Sequence, residues 1–144
     1  MPLLVSTHPR TRARLEVDGS HDSGNLIFHE PFGYLDYNYL QMNAFCVISD
    51  SGTISEESAI LGFPAVSIRD SIERPEALET GSIILTGLDA ENLIRSIELV
   101  TKGAKVGMPD GYQVPDFSER VIRFLFSTVS LSAKWAGLHE VKKS

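Results

Sequence analysis

Phe45-Cys46-Val47-Ile48-Ser49-Asp50-Ser51-Gly52-Thr53-Ile54-Ser55-Glu56-Glu57 is the stretch from which the rest of the chain can be ordered. Phe45 to Ile48 is apolar throughout, which predicts a parallel strand covered on both faces. Small polar residues follow, and Thr53 to Leu61 predicts a helix that Gly62 and Pro64 close. The first amides of a helix lack intrahelical partners and lie at the positive end of its dipole. Small residues around Gly52 let a phosphate approach those amides closely, with the Ser51 and Thr53 hydroxyls as further donors. A plainer alternative accounts for the same residues. Thr53 and Glu56 have the spacing of a capping box, in which hydroxyl and carboxylate each bond the other's backbone. Glu56 then has a structural task, and Glu57 has none that the sequence shows.

Working outward, strand and helix alternate about five times. Upstream lie a strand at Leu3 to Ser6, a short helix at Thr11 to Glu16, a Gly/Ser/Asp-rich loop from Val17 to Asn25 and a strand at Leu26 to Phe28. A helix from Tyr34 to Asn43 follows, with Leu35, Tyr39 and Met42 near one face. Downstream come strands at Ala65 to Ile68 and Ser82 to Leu85, with a short helix from Pro75 to Glu79 between them. A helix from Ala90 to Lys102 carries Leu93, Ile94, Ile97 and Val100 on one face, and Gly103 stops it. A Gly-rich loop reaches Gln113, and a last helix from Phe117 to Thr128 has Phe117, Val121, Phe124 and Thr128 on one stripe. This alternation implies an α/β, Rossmann-like parallel sheet with helices on both faces. Residues 1–129 form the predicted domain and 130–144 a tail, polar except around Trp135. In such sheets ligands sit beyond the carboxyl ends of the strands.

Two other strand ends therefore matter. Arg69-Asp70-Ser71-Ile72-Glu73-Arg74-Pro75-Glu76 places two arginines among carboxylates. Arg is the side chain best suited to forked phosphate recognition, although a solvated loop of mutual ion pairs fits equally well. Thr7-His8-Pro9-Arg10 follows the first strand, where His8 is either a ligand contact or an ordinary loop histidine. His21, His29 and His139 show no metal-site spacing to carboxylates or to Cys46. Ser51 has no His and Asp in a recognisable triad order.

Bulk properties narrow the classes. The 144 residues make one ordinary domain, 42% hydrophobic and 22% charged, as in soluble globular chains. A net charge of −6 argues against non-specific binding to nucleic acid or anionic lipid. The single Cys46 cannot form a disulfide within the chain and fits a reducing cytoplasm. No apolar run approaches the roughly 20 residues of a membrane span.

At Asp50-Ser51-Gly52, Glu56-Glu57, Leu61-Gly62-x-Pro64, Arg69-Asp70-x-x-Glu73-Arg74-Pro75-Glu76, Glu79-x-Gly81 and Gly87-x-Asp89, the chain closely resembles the non-hydrolysing UDP-N-acetylglucosamine 2-epimerases. The resemblance runs from about Leu3 to Lys102. Tyr112-Gln113-Val114-Pro115-Asp116 looks like the branch that makes N-acetyl-fucosamine nucleotides for capsule or O-antigen. Membership implies the C-terminal half of a two-domain glycosyltransferase-B-type fold, with the active site between the domains. It implies isomerase chemistry: a base removes the C2 proton, UDP leaves to give a glycal, and UDP returns after the face has changed. It implies a homodimer and no cofactor. Carried onto this sequence, Ser51 and Gly52 hold the diphosphate of UDP or a UDP-N-acetylhexosamine, Glu57 bonds the ribose hydroxyls and Arg74 contacts the diphosphate or sugar. Tyr37, where the family usually has Phe, lies near the uracil, and Thr53 stands where the family commonly has a second Gly.

The family's N-terminal domain, with its acid–base carboxylates and a Lys, has no counterpart here, so no catalytic residue is assigned. This half is expected to bind UDP without turnover, and an uncovered apolar face is expected to favour self-association. Substituting Glu57 is expected to weaken UDP binding with little loss of fold, and substituting Glu56 to cost about 0.5–2 kcal/mol through the cap. Three alternatives stand: a glycosyltransferase or hydrolysing epimerase half, a stand-alone nucleotide-sugar binding module, and a purely structural use of every motif.

Overall fold

The computed structural model describes residues 1–19, 24–103 and 107–137. In chain order the elements are β1 (Leu3–Ser6), α1 (Pro9–Val17), β2 (Leu26–His29), α2 (Tyr34–Asn43), β3 (Val47–Ser49), α3 (Ile54–Leu61), β4 (Ala65–Ser67), α4 (Pro75–Glu79), α5 (Ala90–Lys102), α6 (Phe117–Thr128) and α7 (Ser132–Trp135). Helices α2, α4, α5 and α6 span the residues expected from their periodicity and end signals. Gly62 closes α3 in the left-handed conformation, φ 76°, which any other L-residue enters only with strain. Helix α1 is longer than expected because Pro9 starts it and His8 caps it, the ring Nδ1 accepting from the Arg10 amide at 3.2 Å. That contact gives His8 a structural task.

Every strand pairing among the described residues is parallel. Among the described residues the ladders form two pairs, β1 with β2 and β3 with β4, rather than one continuous sheet. The expected strand at Ser82 to Leu85 reduces to one rung: Ser67 donates to the Ile84 carbonyl and the Thr86 amide donates to Ser67. The core gathers Ile54, Phe63, Ala65, Ala77 and Ile83, with Val47, Leu61 and Ile72 packed against it. It therefore lies between β4 and the starts of α3 and α4, beneath the strand ends singled out above.

One expectation about faces is overturned, and the apolar stripes of three helices are covered only in part or not at all. Strand β3 begins at Val47, not Phe45; Phe45 is exposed and Ile48 sits at the boundary of exposure, so the strand is not covered on both faces. On α2 the apolar stripe of Leu35, Tyr39 and Met42 faces outward, Leu35 being 79% exposed, and the residue buried is Gln41. On α5 the inward face is Leu93, Ser96, Ile97 and Val100, with Ile94 outside. Among the described residues the stripe of α6 is left uncovered: Phe117, Val121 and Phe124 are exposed, and only Thr128 is half-buried. Periodicity says that a helix has an apolar face, but what covers that face depends on neighbouring chain. His21, His139, the centre of the Val17 to Asn25 loop and the end of the tail lie outside the described residues.

Candidate functional site

Three segments meet at the carboxyl ends of β3 and β4. The turn Ser49 to Thr53 leads into α3, the loop Arg69 to Arg74 leads into α4, and the buried face of α2 carries Tyr37 and Gln41. Arg74 ties the first two, its Nη1 donating to the Gly52 carbonyl at 3.1 Å across 22 residues of sequence. Gly52 packs closely against the charged side chains of the Arg69 to Arg74 loop. A Cβ there would lie 3.0 Å from Glu73 Oε2 and 3.2 Å from Arg69 Nη1.

The cap at the start of α3 differs from the capping box expected. Thr53 has φ −94° and ψ −2°, a helical rather than an extended conformation, and its side chain makes no capping bond. An N-cap hydroxyl reaches the amides of the first turn from extended dihedrals. From the observed ones the Thr53 hydroxyl instead donates to Glu57 Oε1 at 2.6 Å. Ser51 Oγ lies 3.0 Å from Thr53 Oγ1. Because Thr53 has one proton and spends it on Glu57, Ser51 is the donor in that pair. The hydroxyls therefore run as a relay, Ser51 to Thr53 to Glu57. Both hydroxyls are turned towards the Glu57 carboxylate. The first turn of α3 keeps amides without a side-chain cap, beside two acidic residues, Glu56 and Glu57.

The contacts of the two glutamates differ from the capping arrangement expected. Glu56 forms an ion pair with Arg74. Glu57, for which the sequence shows no structural task, is held from two sides: Thr53 bonds Oε1, and Gln41 Nε2 donates to Oε2 at 2.8 Å. Burial, with the charges of Glu57 and then Asp50 adding to it, raises the Tyr37 phenol above its ordinary range.

The arginine loop is a set of ion pairs, as the plainer alternative had it, but one aimed at the strand end. Arg69 forks onto Glu73 at 2.7 and 3.1 Å. Arg74 lies 3.6 Å from the same carboxylate. The Arg69 hydrogen bond, then its charge, lowers the Glu73 carboxyl below the usual range, and the same contacts raise Arg69. A depressed carboxylate favours the folded form above its ordinary titration range, and this contribution fades as pH falls through the lowered value. The Arg69–Glu73 pair is therefore intact at neutral pH.

Gln41 is the residue that motif reading missed, and Tyr112, quoted only for its motif, makes a contact that the motif did not show. The Tyr112 hydroxyl donates to Glu76 Oε1 at 3.2 Å, fastening the loop before α6 to the start of α4. No periodic signal marks a single polar residue on a helix as inward-facing, so Gln41 had no sequence signature. His29 stacks on Phe32, ring centroids 4.1 Å apart, and bonds the Glu30 carbonyl. No cluster of His, Cys, Asp and Glu among the described residues could hold a metal ion. Burial pushes the Cys46 thiol up to about 11, so little thiolate forms near neutrality. Among the described residues no helix is long and apolar enough to cross a membrane.

Residues 1–126 match the family described as UDP-N-acetylglucosamine 2-epimerase. A relative of that name from Methanocaldococcus jannaschii is 35% identical over 127 residues, covering 85% of this chain and 34% of the relative. The crystal structure of Methanocaldococcus jannaschii UDP-GlcNAc 2-epimerase in complex with UDP-GlcNAc and UDP superposes with a TM-score of 0.77 at 34% identity, covering 88% of this chain and 36% of that one. The UDP-N-acetylglucosamine 2-epimerase of Rickettsia bellii gives a TM-score of 0.73 at 36% identity, over 93% of this chain and 38% of that one. The chain spans about a third of the length of the curated relative and solved structures it matches.

Proposed function

The chain belongs to the UDP-N-acetylglucosamine 2-epimerase family, and from that membership we propose that it holds the UDP portion of a UDP-N-acetylhexosamine while C2 of the sugar is inverted by elimination and re-addition of UDP. The observation that carries the proposal is the convergence on Gly52: an uncapped helix start, the Arg74 guanidinium and the Glu57 carboxylate meet at one strand edge. Ser51, Gly52, Thr53 and Arg74 then surround the diphosphate, Glu57 takes the ribose hydroxyls and Tyr37 lies by the uracil. Residues 1–129 form the nucleotide-holding domain and 130–144 a tail.

In the whole enzyme this domain is the C-terminal half of a two-domain, glycosyltransferase-B-type, homodimeric cytoplasmic isomerase. The Tyr112 to Asp116 segment supports a place in surface-polysaccharide synthesis. Proton transfer needs a base within hydrogen-bond reach of C2. Here Glu56, Glu57 and Glu73 are each engaged by a protein donor or cation, which supports nucleotide holding rather than proton abstraction. Calorimetric titration of the 144-residue polypeptide with UDP is expected to give one saturable site, at least about tenfold tighter than uridine because the diphosphate carries the charge-assisted bonds. No heat at millimolar UDP overturns the proposal. Incubation with UDP-N-acetylglucosamine is expected to leave the proton NMR spectrum free of epimer.

A second expected result concerns Glu73. Its carboxylate forks onto Arg69, reaches towards Arg74 and lies beside Gly52, so it competes with a diphosphate for the same cations. Glu73→Gln is expected to tighten UDP binding about 3–10-fold at low salt, less as ionic strength rises. Unchanged or weaker binding, measured in the same calorimeter, would show that Glu73 is not a competitor.

A further inference from the structure

We propose that Gln41 is a positioning residue for Glu57: with Thr53 it clamps the Glu57 carboxylate so that the remaining acceptor positions meet the two vicinal hydroxyls of a ribose. This inference rests on the nucleotide-holding role proposed above and adds a residue and a ligand specificity to it. Gln41 is 3% exposed, and it is the residue that α2 buries while Leu35, Tyr39 and Met42 face outward. Its Nε2 donates to Glu57 Oε2, whereas its Oε1 is buried without a partner. A buried acceptor left unmet costs stability, and native chains keep few of them. Leucine or methionine would fill the same space without that cost. The use of an amide here is therefore accounted for by its other end, which holds Glu57.

The contact also fixes the orientation of both side chains. A reversed amide would set Oε1 against the carboxylate, so the bond to Oε2 decides which way Gln41 points. An ionised carboxylate offers roughly four acceptor positions over two oxygens. Thr53 takes one on Oε1 and Gln41 one on Oε2, leaving one on each. Two adjacent O–H donors match that remainder, and a 2′-deoxyribose offers only one of them. Tyr37 precedes Gln41 by one helical turn on α2 and feels the Glu57 charge, so the clamp and the predicted uracil neighbour share one face of one helix.

Two measurements test the proposal. In the first, thermal midpoints are measured for Glu57→Ala made alone and made in a Gln41→Leu background. The single substitution should lower the midpoint clearly, and in the second background it should do so by less than half as much, because no buried amide is then stranded. In the second, affinities for UDP and 2′-deoxy-UDP are compared. The unsubstituted chain should prefer UDP about tenfold, and Gln41→Leu should cut that preference below about threefold while leaving the midpoint unchanged or higher. Gln41→Met, closer in shape, replaces leucine if the latter disturbs folding. Equal effects of Glu57→Ala in the two backgrounds, or a preference for UDP that survives at position 41 without an amide, would overturn the positioning role. Failure of the unsubstituted chain to bind UDP would instead overturn the proposed function, and would leave Gln41–Glu57 a structural contact only.

Discussion

Replacing Glu57 by alanine is expected to lower folding stability by about 1–3 kcal/mol and UDP affinity by roughly 10–100-fold in the same variant. The two losses have different causes. Stability falls because Gln41, 3% exposed, has its Nε2 bonded to Glu57 and its Oε1 already unmet. Without the carboxylate both ends of a buried amide are unpaired, and the helix start also loses the acceptor for Thr53. Affinity falls because a carboxylate that accepts from ribose hydroxyls contributes charge-assisted bonds, stronger than neutral ones. This departs from the sequence-based expectation of a binding defect with little loss of fold. It also moves Glu56 out of the role of helix cap: Glu56→Ala is expected to act by releasing Arg74, its ion-pair partner. Denaturant unfolding and calorimetric titration of the same Glu57→Ala preparation separate the two effects. Unchanged stability would mean that Gln41 finds another partner, and unchanged affinity would remove Glu57 from the nucleotide site.

Phe63→Ala is expected to cost about 3–5 kcal/mol, the usual range for an aromatic deleted from a packed core. Phe63 is 4% exposed and lies in the cluster with Ile54, Ala65, Ala77 and Ile83. Its carbonyl also accepts from the buried Ser58 hydroxyl at 2.7 Å, which joins the end of α3 to the start of β4. A cavity there loosens the surface on which the Gly52 turn and the Arg74 loop both rest. The core is small and several apolar faces are open, so this loss is a large part of a total of about 5–15 kcal/mol for an ordinary domain. The thermal midpoint should fall by roughly 10–20 °C, with UDP binding lost in parallel once the chain unfolds at the assay temperature. A fall of under 1 kcal/mol in denaturant titration would show that the cluster closes over the gap and does not support the site.

Much of the architecture was legible in the residues themselves. Phe45 to Leu61 announced a strand, a small-residue turn and a helix, and Gly62 with Pro64 announced where the helix stops, because these signals act over a few neighbouring residues. The pairing of Arg74 with the Gly52 turn was legible only in part. Both segments could be assigned to strand ends and therefore to one edge of a parallel sheet. The hydrogen bond that joins them spans 22 residues and follows from how β3 and β4 align in register. The resemblance named the same residues as a nucleotide site without saying how they touch.

By itself, the sequence determined the α/β order of elements, the parallel sense of the strands, the ends of α2, α4, α5 and α6 and the family, since each depends on local backbone preference or on motif order. Tertiary structure alone decided which faces are inside, that Gln41 rather than Leu35 turns inward from α2, that the strip at Ser82 to Leu85 pairs through a single rung, and that Glu56 meets Arg74 while Glu57 meets Gln41. The reason is physical. Propensity and capping are settled by interactions a few residues long, whereas burial and side-chain partnership depend on which distant segment arrives opposite.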